Sequence, residues 1–331
     1  MEINKIYNMD CIDGIKLLDD ESIDCVITSP PYWQLRDYGH DKQIGLEPTF
    51  QEYVNNLADI FDDLKRVLKK DGTCFVVLGD TYSGNKKGKT DLKIQYIPNQ
   101  KISKKETTLP NKSLCNIPSR FAIEMQDRGW ILRNEIIWHK PNAMPSSVKD
   151  RFTIDFEKVF FFVKSQKYYF NQIKEPMLTT DTTPPRGSKE VIGNLNGGRR
   201  KQDEVGRNDY KGFNARYEAP KDLMRNKRTV WTIPTQANNV EHFAMFPDKL
   251  VEIMINAGCK PQGIVLDPFM GSGTTGIVAK KNNRNYIGFD LNAKYVKVAD
   301  KRIAKVVWQT SIFTDFDNVG EDYGTGEELT Q

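Results

Sequence analysis

The sequence predicts an α/β fold, a mostly parallel mixed sheet with helices on both faces. Apolar strand-like runs alternate with amphipathic helical ones along most of the 331 residues. The strand-like runs, such as DCVIT, TCFVVL and GIVL, are continuously apolar instead of alternating in and out, as expected of strands covered on both faces.

Each element has its own signal. NKIYNMD reads as a short strand, IDGIKLLDD has helical spacing, and SIDCVITS is a strand. FQEYVNNLADIFDDLKRVLKK is a long amphipathic helix stopped at Asp71-Gly72, and TCFVVLGD is again a buried strand. SRFAIEMQDRG reads as a helix, followed by the strands WILRNEIIWHK and EKVFFFVKS. After a gap come the helix FPDKLVEIMINAG, the strand GIVLDP, the helix SGTTGIVAKKNN, the strand YIGFDL and a final helix AKYVKVADKRIAKVV. No internal repeat is visible.

Residues 83–113 are polar and lysine-rich and read as a long loop inserted in a first half spanning 1–170. Residues 171–238, rich in Gly, Asn and Arg, hold too few apolar residues to build a large core of their own. A second half spans 239–310, and the acidic tail 311–331 is expected to be disordered.

Composition narrows the classes. The net charge of +4 is too small by itself to announce a polyanion partner, so the placement of charge decides. No apolar run approaches the ~20 residues that cross a bilayer, and MEINKIYNMDC lacks the features of a signal peptide, so an intracellular protein is expected. Cys11, Cys25, Cys74, Cys115 and Cys259 form no CxxC pair and only three histidines are present, so neither a disulfide framework nor a metal site is expected.

Residues 264–276, IVLDPFMGSGTTG, place Asp267 at the end of an apolar strand, then a glycine-rich turn, then a helix opening over Ser272–Thr275. Glycines 271 and 273 let backbone approach a ligand, and the helix N-terminus offers free N–H groups at the carboxyl end of a strand. The spacing is neither GxGxxG nor a P-loop. Asp290, about 20 residues downstream at the end of the next strand, stands where an acidic residue reaches ribose hydroxyls. The pair points to an adenosine-containing cofactor. TSPPYW at 28–33 also ends a strand, and alone it reads equally as a stiff turn or as a site.

DPFMGSGTT at 267–275, TSPPYW at 28–33 and HFAMFPDKL at 242–250 together resemble the S-adenosylmethionine-dependent DNA amino-methyltransferases, in the group whose catalytic motif precedes the cofactor motif. The resemblance covers most of the chain outside 83–113, 171–238 and the tail. It implies a Rossmann-like methyltransferase fold in circularly permuted motif order, with an inserted target-recognition region. It implies S-adenosyl-L-methionine as cofactor, double-stranded DNA as partner, and a separately acting restriction endonuclease as a companion.

By that resemblance Asp267, Pro268, Phe269, Gly271, Ser272, Gly273, Thr274 and Thr275 line the methionine part of the cofactor. Asp290 holds the ribose, Asp10 reaches the adenine amino group, Cys11 and Leu291 belong to the same cofactor-binding set, and Phe243 and Phe246 close over the methionine end. Ser29 Oγ and the Pro30 carbonyl accept from the exocyclic amine of a flipped base, so that its lone pair turns toward the methyl group, while Pro30 and Pro31 fix the backbone. Tyr32, with Trp33, stacks on the base. Trp138 is either another wall of the base pocket or an aromatic cap on the core; His139 and Lys140 beside it read as solvated. Serine at the first motif position favours cytosine N4 over adenine N6.

The region 171–238 fits the position of a target-recognition segment, with Arg186, Arg199, Arg200, Arg207, Arg216, Arg225 and Arg228 available to phosphates or guanine edges; the alternative is a solvated insertion. Lys86, Lys87, Lys89, Lys104 and Lys105 read as phosphate contacts or as a solvated loop, and Arg36 as ordering the catalytic loop around DNA. Two rival classes are a non-catalytic DNA-binding module and a dinucleotide oxidoreductase. Both motifs being intact speaks against the first, and the late, non-GxGxxG glycine turn against the second.

Overall fold

A computed structural model describes residues 1–84, 108–176, 224–236 and 246–306. In chain order the elements are β1 (Lys5–Asn8), α1 (Cys11–Lys16), β2 (Ile23–Thr28), α2 (Phe50–Val67), β3 (Leu68–Leu78), α3 (Ile117–Asp127), β4 (Ile131–His139) and β5 (Phe156–Val163). Then come the short strands β6 (Lys174–Pro176), β7 (Met224–Asn226) and β8 (Val230–Thr232). The second half contributes α4 (Asp248–Gly258), β9 (Ile264–Asp267), α5 (Thr274–Lys281), β10 (Asn285–Asp290) and α6 (Ala293–Ala304).

The main sheet has eight strands in the order β1-β10-β9-β2-β3-β5-β4-β8. β1, β10, β9, β2 and β3 are mutually parallel, β5 is antiparallel to both β3 and β4, and β8 lies parallel on β4. The pleat sends alternate residues of one strand to opposite faces. Cys74 and Val76 of β3 pack under α1, α2 and α3, whereas Phe75 and Val77 pack under α4, α5 and α6. Both faces are thus covered, which is why the strands carry no polar alternation.

α2 opens on Thr49, whose hydroxyl accepts from Glu52 N–H, and ends at Val67, earlier than the helical spacing suggested. Leu68 already pairs with Ile23, so the sheet claims Leu68, Lys69 and Lys70 from the helix. The segment 171–238 is not wholly separate either. Val230–Thr232 adds an edge strand to the main sheet, and Trp231 is buried in it.

Candidate active site

β2 and β9 are neighbours, yet β2 connects onward to β3 on one side and β9 to β10 on the other. Their carboxyl ends therefore open a crevice at the point where the winding reverses, the usual ligand position in open α/β sheets. TSPPYW leaves from β2 and DPFMGSG from β9. The two segments are tied where they part: Thr28 Oγ1 donates to Asp267 Oδ1 at 2.7 Å, across 239 positions of sequence. Asp267 also accepts from Thr275 Oγ1 at 2.6 Å and from Phe269 N–H at 3.0 Å. Its burial, only partly offset by these donors, raises its pKa from 3.8 to about 6.

A cavity of about 570 Å³ fills the crevice. One end is walled by Asp10, Cys11, Ile12, Gly271, Asp290 and Leu291, with Phe269, Phe246 and Tyr295 adding apolar surface. Asp10 caps α1, accepting from Ile12 N–H at 2.8 Å. Asp290 accepts from Gly271 N–H at 2.9 Å and Asn292 N–H at 2.7 Å, and burial raises its pKa. Gly271 has a φ of 54°, which turns its N–H onto that carboxylate.

The other end is built from Ser29, Pro30, Pro31, Tyr32, Trp138, Lys140 and Glu157. Tyr53 donates its phenol to the Pro31 carbonyl at 2.8 Å and so holds the double-proline turn. The Tyr32 ring lies against Gly79, where an added Cβ would come within 2.6 Å of it. Tyr32 donates to Glu157 Oε2 at 2.7 Å, and Ser29 Oγ donates to the Tyr32 phenol at 3.4 Å. Burial, with the Glu157 charge second, pushes the Tyr32 pKa well up, so the phenol keeps its proton. Lys140 pairs with Glu157 Oε1 and lies 4.3 Å from the Trp138 ring centroid. Trp138 is fixed by donating to the Ile233 carbonyl at 2.8 Å.

Several expectations change. Trp33 is not a wall of the cavity: it is 1% exposed, donates to the Glu47 carbonyl at 2.8 Å and meets Phe50 edge-on. The rigid turn that sends Tyr32 into the crevice sends the next side chain under α2. Gly273 and Thr275 do not line the cavity. Gly273 has a φ of 84°, and a Cβ there would stand 2.7 Å from that of Ala299, so this glycine serves the packing of α6; Thr275 supports Asp267 from beneath. Pro268, Phe269, Gly271, Ser272 and Thr274 do line it. Arg36 lines the same cavity, close to Tyr38 and Tyr295. Lys140 is not solvated, its side chain being 18% exposed within the ion pair.

Arg225 gives its Nε–H to Glu175 at 3.0 Å, and with Arg228 it lines a separate cavity beside β8. Arg186, Arg199, Arg200, Arg207, Arg216 and Phe243 lie outside the described residues, as do Lys86, Lys87, Lys89, Lys104, Lys105 and the acidic tail. Reading the sequence missed Glu157 and Gly79. The one signal was a charged residue opening the apolar run FEKVFFFV, which the antiparallel register sets opposite Trp138.

A nucleotide-type turn and a Ser-Pro-Pro-Tyr turn facing one cavity define a group-transfer enzyme of the α/β class. The model of the N6/N4 DNA methylase family matches residues 23–301, and the chain belongs to that family; it is a DNA methyltransferase. It is 38% identical over 309 residues to the type II methyltransferase M.Cfr9I of Citrobacter freundii, covering 92% of this chain and 89% of that one. It is 37% identical over 306 residues to the type II methyltransferase M.SmaI of Serratia marcescens, covering 91% of each. Among solved structures, the cytosine-N4-specific PvuII DNA methyltransferase shares the fold with a TM-score of 0.58 at 21% identity, over 95% of this chain and 87% of that one. The M1.HpyAVI–SAM complex aligns with a TM-score of 0.51 at 20% identity, over 90% and 98%.

Proposed function

We propose that the chain transfers a methyl group from S-adenosyl-L-methionine to the exocyclic N4 amine of a cytosine flipped out of duplex DNA at a specific sequence. The observation that carries this reading is that Ser29, Pro30 and Tyr32 line the same cavity as the Pro268–Ser272 turn and Asp290.

The residues fit the cofactor. The cavity volume lies in the range of small-molecule sites, and its carboxylates match the donors of an adenosine: Asp290 for ribose hydroxyls, Asp10 for an adenine amine. Ile12, Phe269, Leu291 and Phe246 offer apolar walls. When bound, the cofactor supplies an electrophilic methyl group. The chain's own task is to present the amine. A nucleobase amine is a poor nucleophile because its lone pair is delocalised into the ring. Ser29 Oγ and the Pro30 carbonyl accept its N–H bonds, so the nitrogen rehybridises and its lone pair is aimed. Tyr32 offers an aromatic face worth about 1–3 kcal/mol against the stacking lost on flipping. Ser29 itself favours cytosine N4, with adenine N6 as the second reading.

Target recognition is assigned to 171–238, with Arg225 and Arg228 near its end. The relatives named as type II methyltransferases support a role in marking self DNA alongside a separate restriction endonuclease. DNA treated with the enzyme and S-adenosyl-L-methionine, digested to nucleosides and analysed by mass spectrometry, is expected to contain N4-methyldeoxycytidine. N6-methyldeoxyadenosine as the sole product overturns the base, and no methylated nucleoside overturns the reading.

A further inference from the structure

Methylation of an exocyclic amine leaves the nitrogen with one proton more than the neutral product. Its lone pair has become the new N–C bond, so an N–H bond must break and return a pair to nitrogen. The proton needs an acceptor at the end of the cavity that holds Ser29 and Tyr32.

The hydrogen bonds at that end run in one direction. Ser29 Oγ donates to the Tyr32 phenol at 3.4 Å, and the phenol donates to Glu157 Oε2 at 2.7 Å. Because Ser29 gives its own hydrogen away, its oxygen lone pairs remain acceptors for the amine. The chain of donors ends on a carboxylate, which in its ionised form is an acceptor only.

We propose that Ser29, Tyr32 and Glu157 form the proton exit of the methyl-transfer site, with Glu157 as terminal acceptor. An amine N–H proton passes to Ser29 Oγ as the Ser29 hydrogen passes to Tyr32 and the Tyr32 hydrogen to Glu157. The N–H pair stays on nitrogen, Ser29 and Tyr32 end unchanged, and Glu157 ends protonated until solvent takes the proton. This assignment rests on the amine-methylation reading and holds for either base.

Other charged groups around Glu157 are engaged elsewhere. Lys140 holds the second carboxylate oxygen, so it orients Glu157 without blocking Oε2. His139 lies 3.7 Å from Asp155, Lys158 pairs with Glu135 at 2.7 Å, and Asp80 accepts from Thr81 and Ile117 backbone N–H groups. None of them continues the chain from Tyr32.

Tyr32→Phe keeps the stacking ring and removes the relay, and Glu157→Gln keeps the shape and removes the base. The test measures single-turnover transfer of tritiated methyl groups to a plasmid, across pH, with cofactor affinity by calorimetry and plasmid affinity alongside. Each variant is expected to lose about 100-fold in rate at pH 7 with both affinities retained. The double variant should lose no more than either single one. In both single variants the rate should climb with pH as hydroxide replaces the lost acceptor, more steeply than in the wild type. Wild-type rates in Tyr32→Phe, or a wild-type pH profile in Glu157→Gln, overturn the assignment. Tyr32→Phe decides alone if Glu157→Gln fails to fold. A wild-type enzyme that yields no N-methylated nucleoside defeats the underlying reading instead, which separates the two failures.

Discussion

Thr275→Val should destabilise the protein far more at pH 8 than at pH 5. The substitution keeps the side-chain shape and deletes one donor to Asp267, a 2.6 Å bond with both residues buried. Burial raises the Asp267 pKa from 3.8 to about 6. A raised acid contributes stability that is fully present below pH 3.8 and lost as pH climbs through about 6, roughly 3 kcal/mol for about two pKa units. Removing a donor to the ionised form raises the folded pKa further, so the variant keeps losing stability above pH 6 where the wild type has levelled. A hydrogen bond to a charged acceptor is worth about 1.5–3 kcal/mol, and one to a neutral carboxyl about 1 kcal/mol. Urea unfolding should therefore give a penalty near 1 kcal/mol at pH 5, where Asp267 is mostly protonated, and about 0.5–2 kcal/mol more at pH 8. Equal penalties at the two pH values would refute an ionising Asp267 at the base of the crevice.

Other perturbations separate stability from catalysis. Trp33→Ala should cost about 3–5 kcal/mol in urea unfolding, because the side chain fills core under α2; a near-neutral result would return Trp33 to the site. Tyr32→Ala should leave cofactor affinity intact by calorimetry while abolishing methyl transfer. Gly79→Ala is expected to displace the Tyr32 ring and slow single-turnover transfer, with wild-type cofactor affinity as the internal control. Asp290→Ala removes the ribose acceptor and should weaken cofactor binding about 10- to 100-fold, the worth of one charged hydrogen bond.

Local signals carried most of the fold, because strands covered on both faces announce themselves as unbroken apolar runs and glycine turns punctuate them. β8 stayed hidden: Val230–Thr232 is three residues long in a polar segment, and only pairing with β4 makes it a strand. The end of α2 was misplaced for the same reason, since the sheet register takes Leu68 from a run whose local preference is helical. The Pro268–Ser272 turn and Asp290 were legible as cavity lining because glycine and acid spacing reflect backbone geometry, although Gly273 and Thr275 lie outside it. At the other end of the cavity the sequence reached Ser29 to Tyr32 and Trp138 and no further. Which of two adjacent aromatics enters the crevice depends on the turn after Pro31, and Glu157 arrives through an antiparallel register that no local pattern encodes.

The Thr28–Asp267 bond ties the two turns that face the cavity. Thr28 is the last residue of β2 and precedes Ser29; Asp267 is the last of β9 and precedes the cofactor turn. Since β2 and β9 lie side by side, the proposed amine acceptors and the loop proposed to line the cofactor end meet at one buried hydrogen bond. Their relative position is then a property of the sheet, indifferent to which strand is made first and to the length of chain between them. Through Asp267, Thr28 and Thr275, neither of which lines the cavity, join the two strand ends, and on the proposed reading they keep the amine acceptors in register with the cofactor turn.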